Sequence, residues 1–94
     1  MKEGFQSPTV TAKQVEELVD DSQIAISKIG EKTTLVRVTL ECGFELIETS
    51  SCVNPDNYDH ELGMDLALRK IKDRIWAFEG YRLQWSEYLA KKGE

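Results

Sequence analysis

The chain has no apolar run approaching the roughly 20 residues that a membrane-spanning helix needs, and Met1-Lys2-Glu3-Gly4 leads into no hydrophobic stretch of the kind a signal peptide carries. A cytoplasmic location is therefore expected, with no membrane partner. An excess of positive charge is also missing. Twelve Lys and Arg face 17 Asp and Glu, a net charge of -5, which excludes general coating of a nucleic acid polymer. Metal-ligating residues are scarce: two cysteines and one histidine are too few for a metal framework. Cys42 and Cys52 are expected as free thiols, acting as small buried hydrophobes. His60, among acids at a helix start, reads as a surface or cap residue.

Catalytic patterns are lacking too. There is no nucleophile elbow, no GxxxxGK phosphate loop and no HExxH. Asp56, Asp59, Glu61 and Asp65 form an acidic group, but the spacing fits no calcium loop, and helix starts favour acids in any case. The expectation is a binding protein rather than an enzyme, with no cofactor.

What is present is a patterned globular chain. Ninety-four residues with 40% apolar and 31% charged composition predict one domain over residues 1–94, with a modest core that gains from a partner subunit. Residues 1–9 carry Gly4, Ser7 and Pro8 and are expected as a loose arm. Thr11 and Gln14 make a capping box, so a short helix is predicted to run to about Asp21, with Val15, Leu18 and Val19 on its apolar stripe. Ile24, Ile26 and Ile29 precede a turn at Gly30-Glu31-Lys32. Thr33 to Glu41 alternates as a strand, with Thr34, Val36, Val38 and Leu40 on one face. Gly43 closes a second turn, and Phe44 to Ser50 reads as a further strand.

The rest is a helix entry and a long helix. Asn54 can cap, and Pro55 is pre-set for a first turn. Met64, Leu68, Ile71, Ile75, Phe78, Trp85 and Leu89 then recur at three- and four-residue steps. From Asp59 to Lys91 such a helix is about 50 Å long at about 1.5 Å per residue, against roughly 30 Å for a compact domain of this length. Its end, with Tyr81, Trp85, Tyr88 and Leu89, must overhang the sheet or bend at Gly80, and an overhanging aromatic stripe calls for a second chain. The fold class is α+β: a three- to four-stranded antiparallel meander, a short N-terminal helix and a long C-terminal helix packed across the sheet.

Four residues are candidates for binding an anionic ligand. Phe44 follows a turn, where a ring can be exposed for stacking; it reads equally as core. Asn54 offers an amide with donors and an acceptor, or is a simple cap. Lys70 and Arg74 lie one turn apart and can share a phosphate, or form a solvated charged face.

An ordered string of short motifs spans roughly the last fifty residues. It comprises Gly43-Phe44, Ser51-Cys52-Val53-Asn54-Pro55-Asp56-Asn57-Tyr58-Asp59, Glu61-Leu62-Gly63, Ile75-Trp76 and Phe78-Glu79-Gly80-Tyr81 with Leu83. The string resembles a small family encoded by tailed phages and prophages and related to the first type of Thoeris anti-defence protein. Members of that type are sponges. They bind cyclic ADP-ribose isomers made by TIR-domain defence enzymes, some bind cyclic trinucleotides from CBASS, and they do so without cleavage. They assemble through dimers into hexamers. The resemblance implies that Phe44 stacks on a base, that Asn54 is the loop asparagine, and that Lys70 and Arg74 are the paired helix cations, with Arg69 the neighbouring alternative to Lys70. It further implies action in the host cytoplasm, on a cyclic nucleotide, by a homo-oligomer. The alternative function, from the aromatic helix itself, is binding and modulation of a host protein.

Overall fold

In a computed structural model, which describes residues 9–93, the capping box closes as the sequence requires. Gln14 N–H donates to the Thr11 hydroxyl at 3.2 Å, and Thr11 N–H donates to Gln14 Oε1 at 2.8 Å. Helix α1 runs from there over Ala12–Asp20 and buries Val15 and Val19. The arm expected at residues 1–9 lies, apart from Thr9, outside the described residues.

Three strands follow: β1 (Gln23–Ile29), β2 (Thr33–Thr39) and β3 (Glu45–Ser51). They form one antiparallel sheet in the order β1-β2-β3, the three-stranded form of the expected meander. Gly30 (φ 64°) and Gly43 (φ 96°) make the two connections, each in the left-handed region that side chains disfavour. The register sets Ile24 beside Val38 and Val38 beside Leu46, and likewise Ile26 beside Val36 and Val36 beside Glu48. These even-numbered positions share one face of the sheet.

The chain next makes a single 3-10 turn at Pro55–Asn57 and then enters α2, His60–Lys92. The sequence suggested one entry, capped by Asn54; the structure uses two. Asn54 Oδ1 accepts from Asp56 N–H at 2.9 Å and caps only the 3-10 turn, whereas Asp59 Oδ1 accepts from Leu62 N–H at 3.1 Å and caps α2. Between them Tyr58 is extended, with φ -63° and ψ 127°. That conformation brings its hydroxyl within 2.7 Å of the fully buried Thr34 hydroxyl, and His60 Nδ1 lies 2.9 Å from the same oxygen. The buried polar group of β2 is thereby satisfied, at the cost of a continuous helix start.

Helix α2 lies over β2 and β3 and buries Gly63, Ala67, Ile71 and Ile75. With Val15, Val19, Val36, Val38 and Leu46 these make the core. Gly63 is the point of closest approach: a Cβ there would stand 2.9 Å from Thr34 Cβ and closer still to its hydroxyl. A Lys72–Glu16 ion pair at 3.0 Å joins α2 to α1. The helix remains unbroken through Gly80 and has no buried residue after Ile75, so the molecule measures 59 × 28 × 21 Å. Of the two alternatives for its end, overhang is the one observed.

Candidate functional site

Helix α2 runs antiparallel to β3, and the consequence is a row of side chains along that strand. Lys70, Arg74 and Phe78 follow one another at four-residue steps, one helical turn each. Lys70 Nζ donates to the Thr49 carbonyl at 2.9 Å, and Arg74 donates to the Ile47 carbonyl at 3.2 Å and to Glu48 Oε2 at 3.1 Å. Phe78 meets Phe44 edge to face, with centroids 5.5 Å apart, and the Arg74 guanidinium carbon is 6.0 Å from the Phe78 ring. Three of the four residues singled out in the sequence, Phe44, Lys70 and Arg74, therefore stand along the same strand.

The two cations are already engaged. Strand β3 is an edge of the sheet, and its outward carbonyls need donors; Lys70 and Arg74 supply them to Thr49 and Ile47. They are neither a freely solvated face nor a pair converging on one empty anion site. Arg74 NH1 makes both of its contacts, its side chain is 40% exposed, and the other guanidinium nitrogens have no partner among the described residues. Arg69, the neighbouring alternative, is exposed and borders a surface depression with Asp65, Leu68 and Lys72.

Phe44 is half exposed at 50%, so it is not a closed core residue. With Phe78, Leu40, Cys42, Tyr81 and Arg82 it borders an open cleft of about 380 Å³, within the span of small-ligand sites. Phe78 and Arg82 were not among the candidates. Phe78 read as part of the apolar stripe, and only the course of α2 over β3 brings it to Phe44, which is remote in sequence.

Asn54 stands apart. Phe44 immediately precedes β3 and Asn54 follows it, so the seven strand residues, at about 3.3 Å each, hold them more than about 20 Å apart. Asn54 is exposed and its carbonyl oxygen is spent on the cap, which leaves its amide hydrogens as donors. Within one protomer, Phe44 and Asn54 do not line a common small pocket.

Both cysteines are free thiols, as expected, but neither is buried. Cys42 is exposed on the turn before β3, at the rim of the Phe44 cleft, and Cys52 Sγ points to the Asn54 carbonyl at 3.2 Å. The tight β2–β3 connection has no interior in which to hide residue 42.

A second exposed surface is the end of α2. Tyr81, Trp85 and Tyr88 stack edge to face in series, at 6.4 and 5.7 Å, and with Leu89 they line an open groove. Among the described residues, no helix is long and apolar enough to cross a membrane.

No curated protein and no solved structure is a significant match to the chain. Residues 10–86 match the sequence profile of a phage family, an interval that takes in α1, the whole sheet and α2 through Ser86. The chain belongs to the Phage protein (N4 Gp49/phage Sf6 gene 66) family.

Proposed function

We propose that this phage protein is a non-enzymatic sponge that binds and sequesters cyclic nucleotide immune signals, cyclic ADP-ribose isomers first among them, at sites shared between protomers. The observation that carries the reading is the half-exposed Phe44 ring, edge to face with Phe78 on a cleft of about 380 Å³, with the Arg74 guanidinium 6.0 Å from that same Phe78 ring. A planar base can stack on such a ring, and a guanidinium with free donors on the next turn of the helix beyond Phe78 can take a phosphate oxygen. Asn54 stands too far from Phe44 to join it in one copy, so its amide serves a ligand held mainly by a second copy. Resemblance to the Thoeris anti-defence sponges supports the same chemistry.

A second reading rests on the stacked Tyr81–Trp85–Tyr88 end of α2, which suits binding of a host protein. One experiment separates the two. Purified protein is incubated with cyclic ADP-ribose isomers, washed, heat-denatured, and the released material analysed. Intact ligand is the expected result. Altered ligand identifies an enzyme, and absence of ligand favours the host-protein reading.

A further inference from the structure

The two edges of the sheet are treated differently. On β3, side chains of α2 occupy the outward carbonyls of Ile47 and Thr49. Those bonds also fix the orientation of the whole ladder. Odd-numbered residues of β3 point outward, so even-numbered ones bond to β2. The Cys52 N–H bond to the Lys32 carbonyl continues that pattern. Because backbone groups alternate along a strand, odd-numbered residues of β2 must bond to β1, through the pairs Ala25–Arg37 and Ser27–Leu35. The N–H and C=O groups of Ile24, Ile26 and Lys28 therefore face away from the sheet. No described side chain donates to these carbonyls, every residue of β1 is exposed, and Ile24 and Ile26 remain 42% and 38% accessible on the helix side. A seven-residue edge with uncovered carbonyls, three isoleucines and its one charge, Lys28, drawn over the Tyr58 ring at 4.6 Å is a template for strand addition.

We propose that β1 pairs antiparallel with β1 of a second copy of this chain, about a two-fold axis at Ala25. The strand is complementary to itself in this register. Residue i meets residue 50 − i, so Ile24 of one copy lies opposite Ile26 of the other, twice over. Lys28 lies opposite Ser22, next to Asp21 and Asp20, which carry the opposite charge. Only even-numbered residues exchange backbone bonds, and the N–H and C=O groups of Ile24 and Ile26 are free for them; the Ser22 N–H is held by the Val19 carbonyl, so at each end of the pairing Lys28 N–H is the donor and the Ser22 carbonyl the acceptor. An axis perpendicular to the sheet keeps all helices on one side. The resulting six-stranded sheet is of ordinary size, and the aromatic end of α2 takes no part in it.

Cysteine cross-linking tests the register in the full chain. In a Cys42→Ser, Cys52→Ser background, Ala25→Cys sets two thiols across a non-hydrogen-bonded pair, where Cα atoms lie about 4.5 Å apart, within disulfide range. Ser27→Cys sets its thiols four residues out of register. Mild oxidation is expected to convert the Ala25→Cys protein to a covalent dimer and to leave the Ser27→Cys protein as single chains. Equal linking of both, or of neither, overturns the proposal. Hydrogen exchange on the unmodified protein is independent of any folding defect in the variants. At tens of micromolar, the amides of Ile24, Ile26 and Lys28 should be as protected as those of Ala25 and Ser27. Rapid exchange of the three even-numbered amides beside protected odd-numbered ones would show a free edge and overturn the pairing.

Discussion

The first half of α2 and its second half carry the same apolar periodicity and meet different surroundings. Up to Ile75 the stripe lies on the sheet, with Gly63, Ala67, Ile71 and Ile75 buried. Beyond it, Phe78, Tyr81, Trp85, Tyr88 and Leu89 are 45–67% exposed. The near half is made of small and aliphatic residues that let the helix sit close to β2. The far half is aromatic, and its rings stack along the helix rather than fill a core. Periodicity says which face will be covered; residue size and helix length say whether this chain or another must cover it.

The largest difference between the halves should appear in stability. Ile71→Ala leaves a cavity under the helix and should cost about 2–5 kcal/mol, whereas Leu89→Ala should leave the stability of the single protomer within about 0.5 kcal/mol. Chemical denaturation of both variants at low protein concentration checks this. A similar large loss from both would mean that the far half is core within one chain.

The two glycines sharpen the same contrast with opposite signs. Ala at Gly63 meets Thr34 and should destabilise by about 1–3 kcal/mol. Ala at Gly80 meets nothing within 4 Å and should stabilise by about 0.5–1 kcal/mol through helix propensity. Melting curves that move in the same direction for both would contradict the close approach at Gly63.

Phe44→Ala should weaken binding of a cyclic ADP-ribose isomer by about tenfold to a hundredfold, the worth of one base stack, in a protein that melts near the wild type. Calorimetric titration reads it, and unchanged affinity would put the ligand elsewhere. Arg74 is a less clean probe, because its loss also uncovers the Ile47 carbonyl and Glu48. Comparison of Arg74→Ala with Arg74→Lys separates the edge bond from the phosphate contact.

The smallest expected effect concerns Cys42 and Cys52. Non-reducing mass spectrometry should find both alkylatable, with Cys42 reacting faster in the folded protein because it is the exposed one. A bridged pair would contradict the structure.

Much of the fold was legible in the sequence, because its signals are local. The Thr11–Gln14 box, the alternation of Thr34, Val36 and Val38, the turn glycines and the long helical stripe each act within a few residues. What escaped depends on contacts distant in sequence. Asn54 followed by Pro55 has the grammar of a helix start, but Tyr58 must be extended to reach Thr34, so the helix restarts at Asp59. The four-residue spacing of Lys70 and Arg74 was readable; that their donors serve the edge of β3 was not, because it follows from the line α2 takes across the sheet. Exposure of Phe44 and its pairing with Phe78 have the same origin.

The central claim is that a single protomer is incomplete, its aromatic helix end and binding cleft waiting for a second copy. Light scattering at tens of micromolar tests it most directly, on the wild type and on a Trp85→Glu, Leu89→Glu double variant that circular dichroism shows to be folded. The wild type is expected as an assembly larger than a dimer, and the variant at the smaller mass of the β1-paired dimer. A monomeric wild type, or the same mass for both proteins, would contradict it.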